Sequence, residues 1–181
     1  GVVGSLAASA GSSLVSTVAS TTGDARLTAA GDIIHDGASV AGTLVTDTAQ
    51  KTTLSGHFGA LNVTQSGELV FSSTTVDGVA SVRASGPISQ TGPSVLSFAD
   101  TAQLGASAIT LSNTGNDFHK LLTVASTGST EVYDSNSLSV TGTVGSLAAT
   151  AGTTLFSSVS TIAGDSHLKA GTAITHDTGR V

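Results

Sequence analysis

Apolar residues alternate with hydroxyl-bearing or other small polar residues along much of the chain. Leu61 and Val63 flank Asn62, and Leu122 and Val124 flank Thr123 in the same way. A period near two is typical of half-buried β-strands, and no stretch shows the 3.6-residue stripe of a helix. Val, Ile and Thr favour strands, while Gly, Asn, Asp and Ser supply turns. The pattern predicts short strands joined by turns.

One segment of the sequence occurs twice. Residues 3–40 and 144–181 align without gaps at an offset of 141 residues, and 19 of the 38 aligned positions are identical. Many of the other positions exchange Ser for Thr or one small residue for another. We therefore expect residues 1–181 to be one continuous segment cut from a longer tandem array with a 141-residue period.

A shorter period lies inside the long one and is marked by a small residue followed by Gly. The clear markers are Ala10-Gly11, Ala30-Gly31, Ser66-Gly67, Ser85-Gly86, Thr127-Gly128, Ala151-Gly152 and Ala170-Gly171. Weaker markers, Thr48-Ala49 and Gly105, fill the two gaps and divide the long period into seven units of about 20 residues. Such a unit buries its apolar face only by stacking on its neighbours. The sequence therefore predicts an all-β fold, a single-chain parallel β-solenoid with two or three strands per coil.

Composition agrees with stacked coils and excludes several partners. The chain has 28 serines, 28 threonines and 10% charged residues, and stacked positions favour small hydroxyl side chains over like charges. A net charge of −6 with only six scattered Lys and Arg residues argues against nucleic acid as a partner, because phosphate binding needs clustered cations. The absence of Cys removes disulfides and thiolate metal sites. No apolar run is long enough to span a membrane.

Several segments resemble the repeats of filamentous-haemagglutinin-like exoproteins of bacteria. They are AITLSNTGNDF at 108–118, LLTV at 121–124, VYDSNSLSV at 132–140, and the coil opening GPISQT at 86–91. The resemblance implies a right-handed parallel β-helix. It also implies export through the outer membrane as a large exoprotein, a location outside the cell or on its surface, and a role in adhesion or in a surface fibre.

Two groups of polar residues are candidates for binding or catalysis. The pair His35-Asp36 recurs as His176-Asp177. It has the residue types of a base with its orienting carboxylate or of half a metal site, but neighbours on a strand point to opposite faces, so we expect turn or stacking positions instead. Asn113, Asn116 and Asp117 surround Gly115. These side chains suit either turns and stacked amides or, alternatively, a calcium site.

A polysaccharide-cleaving carboxylate pair is the remaining catalytic alternative. Asp24, Asp32, Asp36, Asp47 and Asp77 are its candidates. Aromatic platforms for sugars are scarce, and we expect the phenylalanines at 58, 71, 98, 118 and 156 to fill or stack in the core, with Tyr133 the only other aromatic residue. Neither a G-x-S-x-G elbow nor a phosphate-binding loop is present. We assign no catalytic, cofactor or metal residue and expect a protein that is not an enzyme.

Three functional hypotheses follow. The first is a structural segment of a large secreted adhesin or surface filament, whose partners are adjacent repeats of the same chain, other copies and an unspecified host or cell-surface ligand. The second is a β-helix that binds or cleaves polysaccharide. The third is a Thr-rich solenoid that binds ice or another ordered surface.

Overall fold

The protein is described by a computed structural model that covers residues 1–177, apart from the side chain of residue 38. The last four residues of the second copy of the repeated segment lie outside the described residues. Within residues 1–177 the chain forms 21 strands and no helix, so no helix there can cross a membrane. The strands are β1 (Val2–Val3), β2 (Leu6–Ala10), β3 (Leu14–Ser16), β4 (Ser20–Thr21), β5 (Ala25–Ala29), β6 (Ile33–Asp47), β7 (Lys51–Gln65), β8 (Glu68–Val76), β9 (Ala80–Arg83), β10 (Ile88–Gln90), β11 (Leu96–Phe98), β12 (Ala102–Ala106), β13 (Ile109–Leu111), β14 (Asp117–Phe118), β15 (Leu121–Ser126), β16 (Ser129–Asp134), β17 (Leu138–Val144), β18 (Ser146–Ala151), β19 (Thr154–Ile162), β20 (Ser166–Ala170) and β21 (Ala173–His176).

Each turn of the chain, called a coil below, stacks in parallel on the next. We call the sides of a coil A, B and C after β2, β3 and β4 of the first coil. Side A begins with the pairing of Leu6 and Ala25, and side B with the parallel pairing of β3 and β6. Side C begins with the pairing of β1 and β4. The stack contains about 9 turns roughly 19 residues apart, which confirms the predicted parallel β-solenoid.

The cross-section changes along the stack. The long strands β6 and β7 each run through all three sides of one coil and bend between them. Side C continues through β8, β11 and β14 and then shrinks to the turn between Asp134 and Leu138. In the coils that follow, side C has no strand, and the longer side A strands β17 and β19 provide the missing length of each coil. The solenoid is continuous but its section is not constant.

The interior is built from alternate residues of every side. Leu, Ile, Val, Ala and Phe point inward and form one continuous core cluster from Leu14 to Val159. Phe98 lies at its centre, with ring centroids 5.9 Å from Phe71 and 5.5 Å from Phe118. Phe156 is the exception to the expectation that the phenylalanines fill the core. It points outward from β19 and is 41% exposed. Its neighbours Leu155 and Ser157 point inward, and alternation along the strand turns Phe156 to the outer face.

One column of turns joins side A to side B throughout the stack. Its members are Ser12, Gly31, Gln50, Gly67, Gly86, Ser107, Gly128, Gly145 and Gly164. Gly67 N donates to Gln50 O at 2.6 Å, and a Cβ at Gly67 would lie 2.5 Å from Ala49 O. Glycine is required at Gly67 because the backbone of the preceding coil lies too close for a side chain, whereas Ser12, Gln50 and Ser107 show that other positions of the column accept one.

The turn column corrects part of the predicted short period. Thr48-Ala49 does precede a turn of this column, but Gly105 lies inside β12, and the turn is at Ser107. Ala151-Gly152 and Ala170-Gly171 follow β18 and β20 on side B, so they belong to another corner. The predicted series of markers therefore combines two different turns.

The 141-residue period is consequently longer than seven coils. Seven pairing steps along side A lead from Leu6 to Val140, and seven along side B lead from Leu14 to Leu147. Leu147 is the sequence counterpart of Leu6, yet it stands in the column of Leu14. One period therefore equals seven coils plus one side, which replaces the predicted seven units of 20 residues.

Candidate functional site

His35 and Asp36 point in opposite directions, as strand geometry predicts. The His35 ring lies inside, 1% exposed and 5.5 Å from the ring of Phe58, and neither ring nitrogen has a hydrogen-bond partner. Asp36 lies outside, where its Oδ1 accepts a hydrogen bond of 2.8 Å from Ser55 Oγ. Burial lowers the pKa of His35, against a smaller opposing effect of Asp36. The pair has no base-and-carboxylate geometry.

The second copy repeats the backbone setting of this histidine. His176 pairs with Ser157 as His35 pairs with Ser16. The hydroxyls of Ser16 and Ser157 are both buried without a hydrogen-bond partner. His176 lies in the last described strand and is exposed, because no described coil covers it. The two copies therefore place a serine and a histidine in the same inward column.

The corner around Gly115 is an amide ladder. Asn116 Nδ2 donates to Gln90 Oε1 at 2.7 Å and to Leu111 O at 3.0 Å, and its Oδ1 accepts from Leu96 N at 3.0 Å. Asp117 lies 3.2 Å from Nε2 of His119. The side-chain oxygens of Asn116 and Asp117, which a calcium ion would need as ligands, therefore make contacts within the protein. Residues 1–177 also contain no group of three His, Cys, Asp or Glu side chains placed to hold a metal.

A buried carboxylate that is not among the candidates predicted from the sequence lies where side C narrows. Asp134 is 0% exposed, and its two oxygens accept from Phe118 N at 2.7 Å and Asn136 N at 2.6 Å. Burial raises its pKa, while the two backbone N–H groups act in the opposite direction. The sequence did contain one signal for this turn. An Asp followed by Ser and Asn favours an Asx turn, in which the carboxylate accepts from the backbone N–H two residues later.

The five aspartates considered as catalytic carboxylates each contact a neighbouring coil instead. Their partners are Thr43 N for Asp24, Lys51 N for Asp32, Ser55 Oγ for Asp36, Arg26 for Asp47 and His57 for Asp77. Two further ion pairs, Lys51 with Glu68 and Lys120 with Asp100, also join coils. The acidic residues thus connect neighbouring coils.

A shallow cleft on side C brings together Ser39, His57 and Asp77. His57 Nε2 lies 2.8 Å from Asp77 Oδ2, and Ser39 is the strand partner of His57 in the adjacent coil. The histidine and aspartate side chains are 57% and 62% exposed. Within the described residues no hydrogen bond joins Ser39 to His57, so the cleft has the residue types of a nucleophilic triad but lacks the hydrogen bond that activates its serine.

A second depression lies on side A, and we call it the side A groove. It is lined by Ser81, Arg83, Gln103, Gly105, Thr123 and Ala125 and has a volume of about 220 Å³. Its floor is the backbone of β9, β12 and β15. Arg83 stands in register with Gly105 and Ala125, and these two small residues leave the depression beside its guanidinium.

A family described as repeats of unknown function (DUF5649) matches residues 58–125. The match begins in β7 and ends in β15, so it contains all residues that line the side A groove. Neither the curated proteins nor the solved structures contain a match to the chain. The chain is thus similar, in this central part, to repeats whose function is unknown.

Proposed function

We propose that the chain is a non-catalytic structural segment of a large secreted adhesin or surface fibre, of the filamentous-haemagglutinin-like kind. One observation carries the proposal. The two copies of the repeated segment make the same strand pairings inside one uninterrupted solenoid: Leu6 with Ala25 and Leu147 with Ser166, and then Val3 with Thr21 and Val144 with Ile162. Sequence repetition therefore lengthens the stack without requiring a new kind of interface.

The contacts between coils suit a load-bearing rod. Backbone hydrogen bonds join successive coils on their sides, and the turn column adds a further series. Ion pairs and carboxylate hydrogen bonds join the coils on the outside. With a separation of about 4.8 Å between paired strands, a 141-residue period adds about 36 Å of length. Length and stiffness are the properties that a fibre or an adhesin stalk needs.

Small-angle scattering on a chain with one added period tests the proposal. The added period is residues 1–141 placed before the 181-residue chain, and the unaltered chain is the control. We expect the maximum dimension to increase by about 36 Å with an unchanged cross-sectional radius. Electron microscopy of the protein that contains this segment should show extended rods. A compact particle in either experiment would contradict the structural role.

A further inference from the structure

Within the described residues, several outward polar side chains of side A make no hydrogen bond, Thr28 and Asn62 among them, and the side A groove brings three such side chains together beside a depression. Elsewhere on this side, Thr64 Oγ1 donates to Thr46 O at 3.1 Å, and Thr141 Oγ1 donates to Ser158 O at 3.0 Å. In the part of the chain that the structure describes, the groove residues Ser81, Gln103 and Thr123 make no side-chain hydrogen bond within the protein. Their hydrogen-bonding groups are available to a ligand.

Arg83 supplies the charge of the groove. Arg26, Lys51 and Lys120 each pair with a carboxylate of another coil. Arg83 makes no ion pair with any residue in 1–177, although it is exposed. A guanidinium presents a planar fork of donors that matches a carboxylate with two parallel hydrogen bonds. The groove therefore places an unpaired carboxylate-binding group at one end of a row of hydroxyl and amide groups.

The surroundings limit what the ligand can be. The strands under the groove pair in register on both sides, Gln103 with Ser81 and with Thr123, so their backbone groups are not free to pair with a peptide strand. Hydroxyl and amide side chains complement a partner rich in hydroxyls. The net charge of −6 repels a polyanion, which favours a mostly neutral chain with isolated charges.

We propose that the side A groove binds a carbohydrate chain that bears an isolated uronate. Arg83 holds the carboxylate, and Ser81, Gln103 and Thr123 bind hydroxyls of the neighbouring sugars. Gly105 and Ala125 leave the space for the sugar ring. This site does not depend on the proposed role in a fibre, because the groove is part of the solenoid whatever its function is.

Amide chemical-shift titration of the 181-residue chain tests the site. The probe is xylotetraose that carries one glucuronate, and the matched probes are unsubstituted xylotetraose and xylotetraose that carries one sulfate ester. We expect the uronate probe to shift amides of β9, β12 and β15 and to bind more tightly than both matched probes. Equal binding of unsubstituted xylotetraose, tighter binding of the sulfated probe, or no shift at millimolar concentration would overturn the assignment.

Three variants separate the site from general effects. Arg83→Gln should weaken binding about tenfold or more, as expected for a charge-assisted hydrogen bond. Lys169→Gln makes the same charge change at another exposed cation and should leave binding unchanged. Gly105→Thr should abolish binding by filling the depression, with the fold intact, because a Cβ there meets only Val82 O at 3.7 Å. Unchanged affinity in Arg83→Gln or Gly105→Thr would contradict the proposal.

Discussion

At the scale of single residues, the core contains polar side chains that make no hydrogen bond. His35, Ser16 and Thr46 are buried, and their side-chain nitrogen and oxygen atoms have no partner. A buried imidazole without a partner is neutral, because charging it would require desolvation of an ion. The interior of these coils therefore tolerates His35 only in its neutral form.

Stability should depend on pH through His35. Its pKa is lowered in the folded state, so the unfolded chain binds its proton more readily. The free energy of unfolding should therefore fall as pH drops below about 6.5. Urea denaturation between pH 7.5 and 5 measures this slope. We expect His35→Leu to reduce it.

Other histidines provide the control for this experiment. His167 is exposed on β20, and His167→Gln should leave the pH slope as it is in the unaltered chain. If His35→Leu kept the full slope, another group would have to be responsible. Asp134 acts in the opposite sense, because its raised pKa makes the folded state bind the proton more tightly.

The aromatic contacts at the centre of the core allow a second test at this scale. Phe98 is 0% exposed between Phe71 and Phe118. Phe98→Ala removes both contacts and should lower the free energy of unfolding by about 3–5 kcal/mol. Phe156→Ala is the matched control on the outer surface and should cost much less. Chemical denaturation of both variants measures the difference, and similar losses would contradict the inward and outward assignments.

At the scale of elements, the turn between sides A and B limits how closely coils stack. Gly67 and Gly128 follow side A strands and lie against carbonyl oxygens of the preceding coil, where a Cβ would approach within 2.5 and 2.7 Å. Backbone oxygens of a stacked coil cannot move aside as the end of a flexible side chain can. The requirement for glycine here is steric and comes from the neighbouring coil.

Gly67→Ala should therefore destabilise the solenoid by about 1–3 kcal/mol, because the coils on either side of it have to separate locally. Gly92→Ala is the matched control, since a Cβ at Gly92 meets nothing within 4 Å. Thermal denaturation of the two variants makes the comparison. Replacing glycine by alanine reduces the entropy of the unfolded chain and by itself stabilises, so a Gly92 variant as unstable as the Gly67 variant would contradict the assignment of the loss to contact between coils.

At the scale of the whole molecule, one sequence period is longer than seven whole coils by one side. Residues 147–151 continue the side B column, although their counterparts in the first copy begin side A. In a tandem array, successive periods would present the same outward residues on different sides. A surface feature such as the side A groove would then be distributed around the rod rather than confined to one face.

Disulfide formation can measure this offset directly, because the chain has no cysteine of its own. Glu131 and Ala148 are outward strand partners on side B, so Glu131→Cys with Ala148→Cys should cross-link on oxidation. Thr123→Cys with Ala148→Cys should not. The opposite result would mean that one period equals seven whole coils, since Ala148 would then stack on Thr123. Non-reducing mass spectrometry of peptides identifies the linked pair.

The sequence by itself determined the strands, the parallel stack and the opposite directions of the His35 and Asp36 side chains. Alternation of apolar and hydroxyl residues is local information, and so is the divergence of neighbouring side chains on a strand. The burial of His35 and Asp134, the side A groove and the offset between period and coil were decided only by the tertiary structure. Each of them depends on which residues of other coils lie above and below. Successive residues of the turn column are 17 to 21 positions apart, so the register of one coil on the next varies and is set only when the whole stack forms.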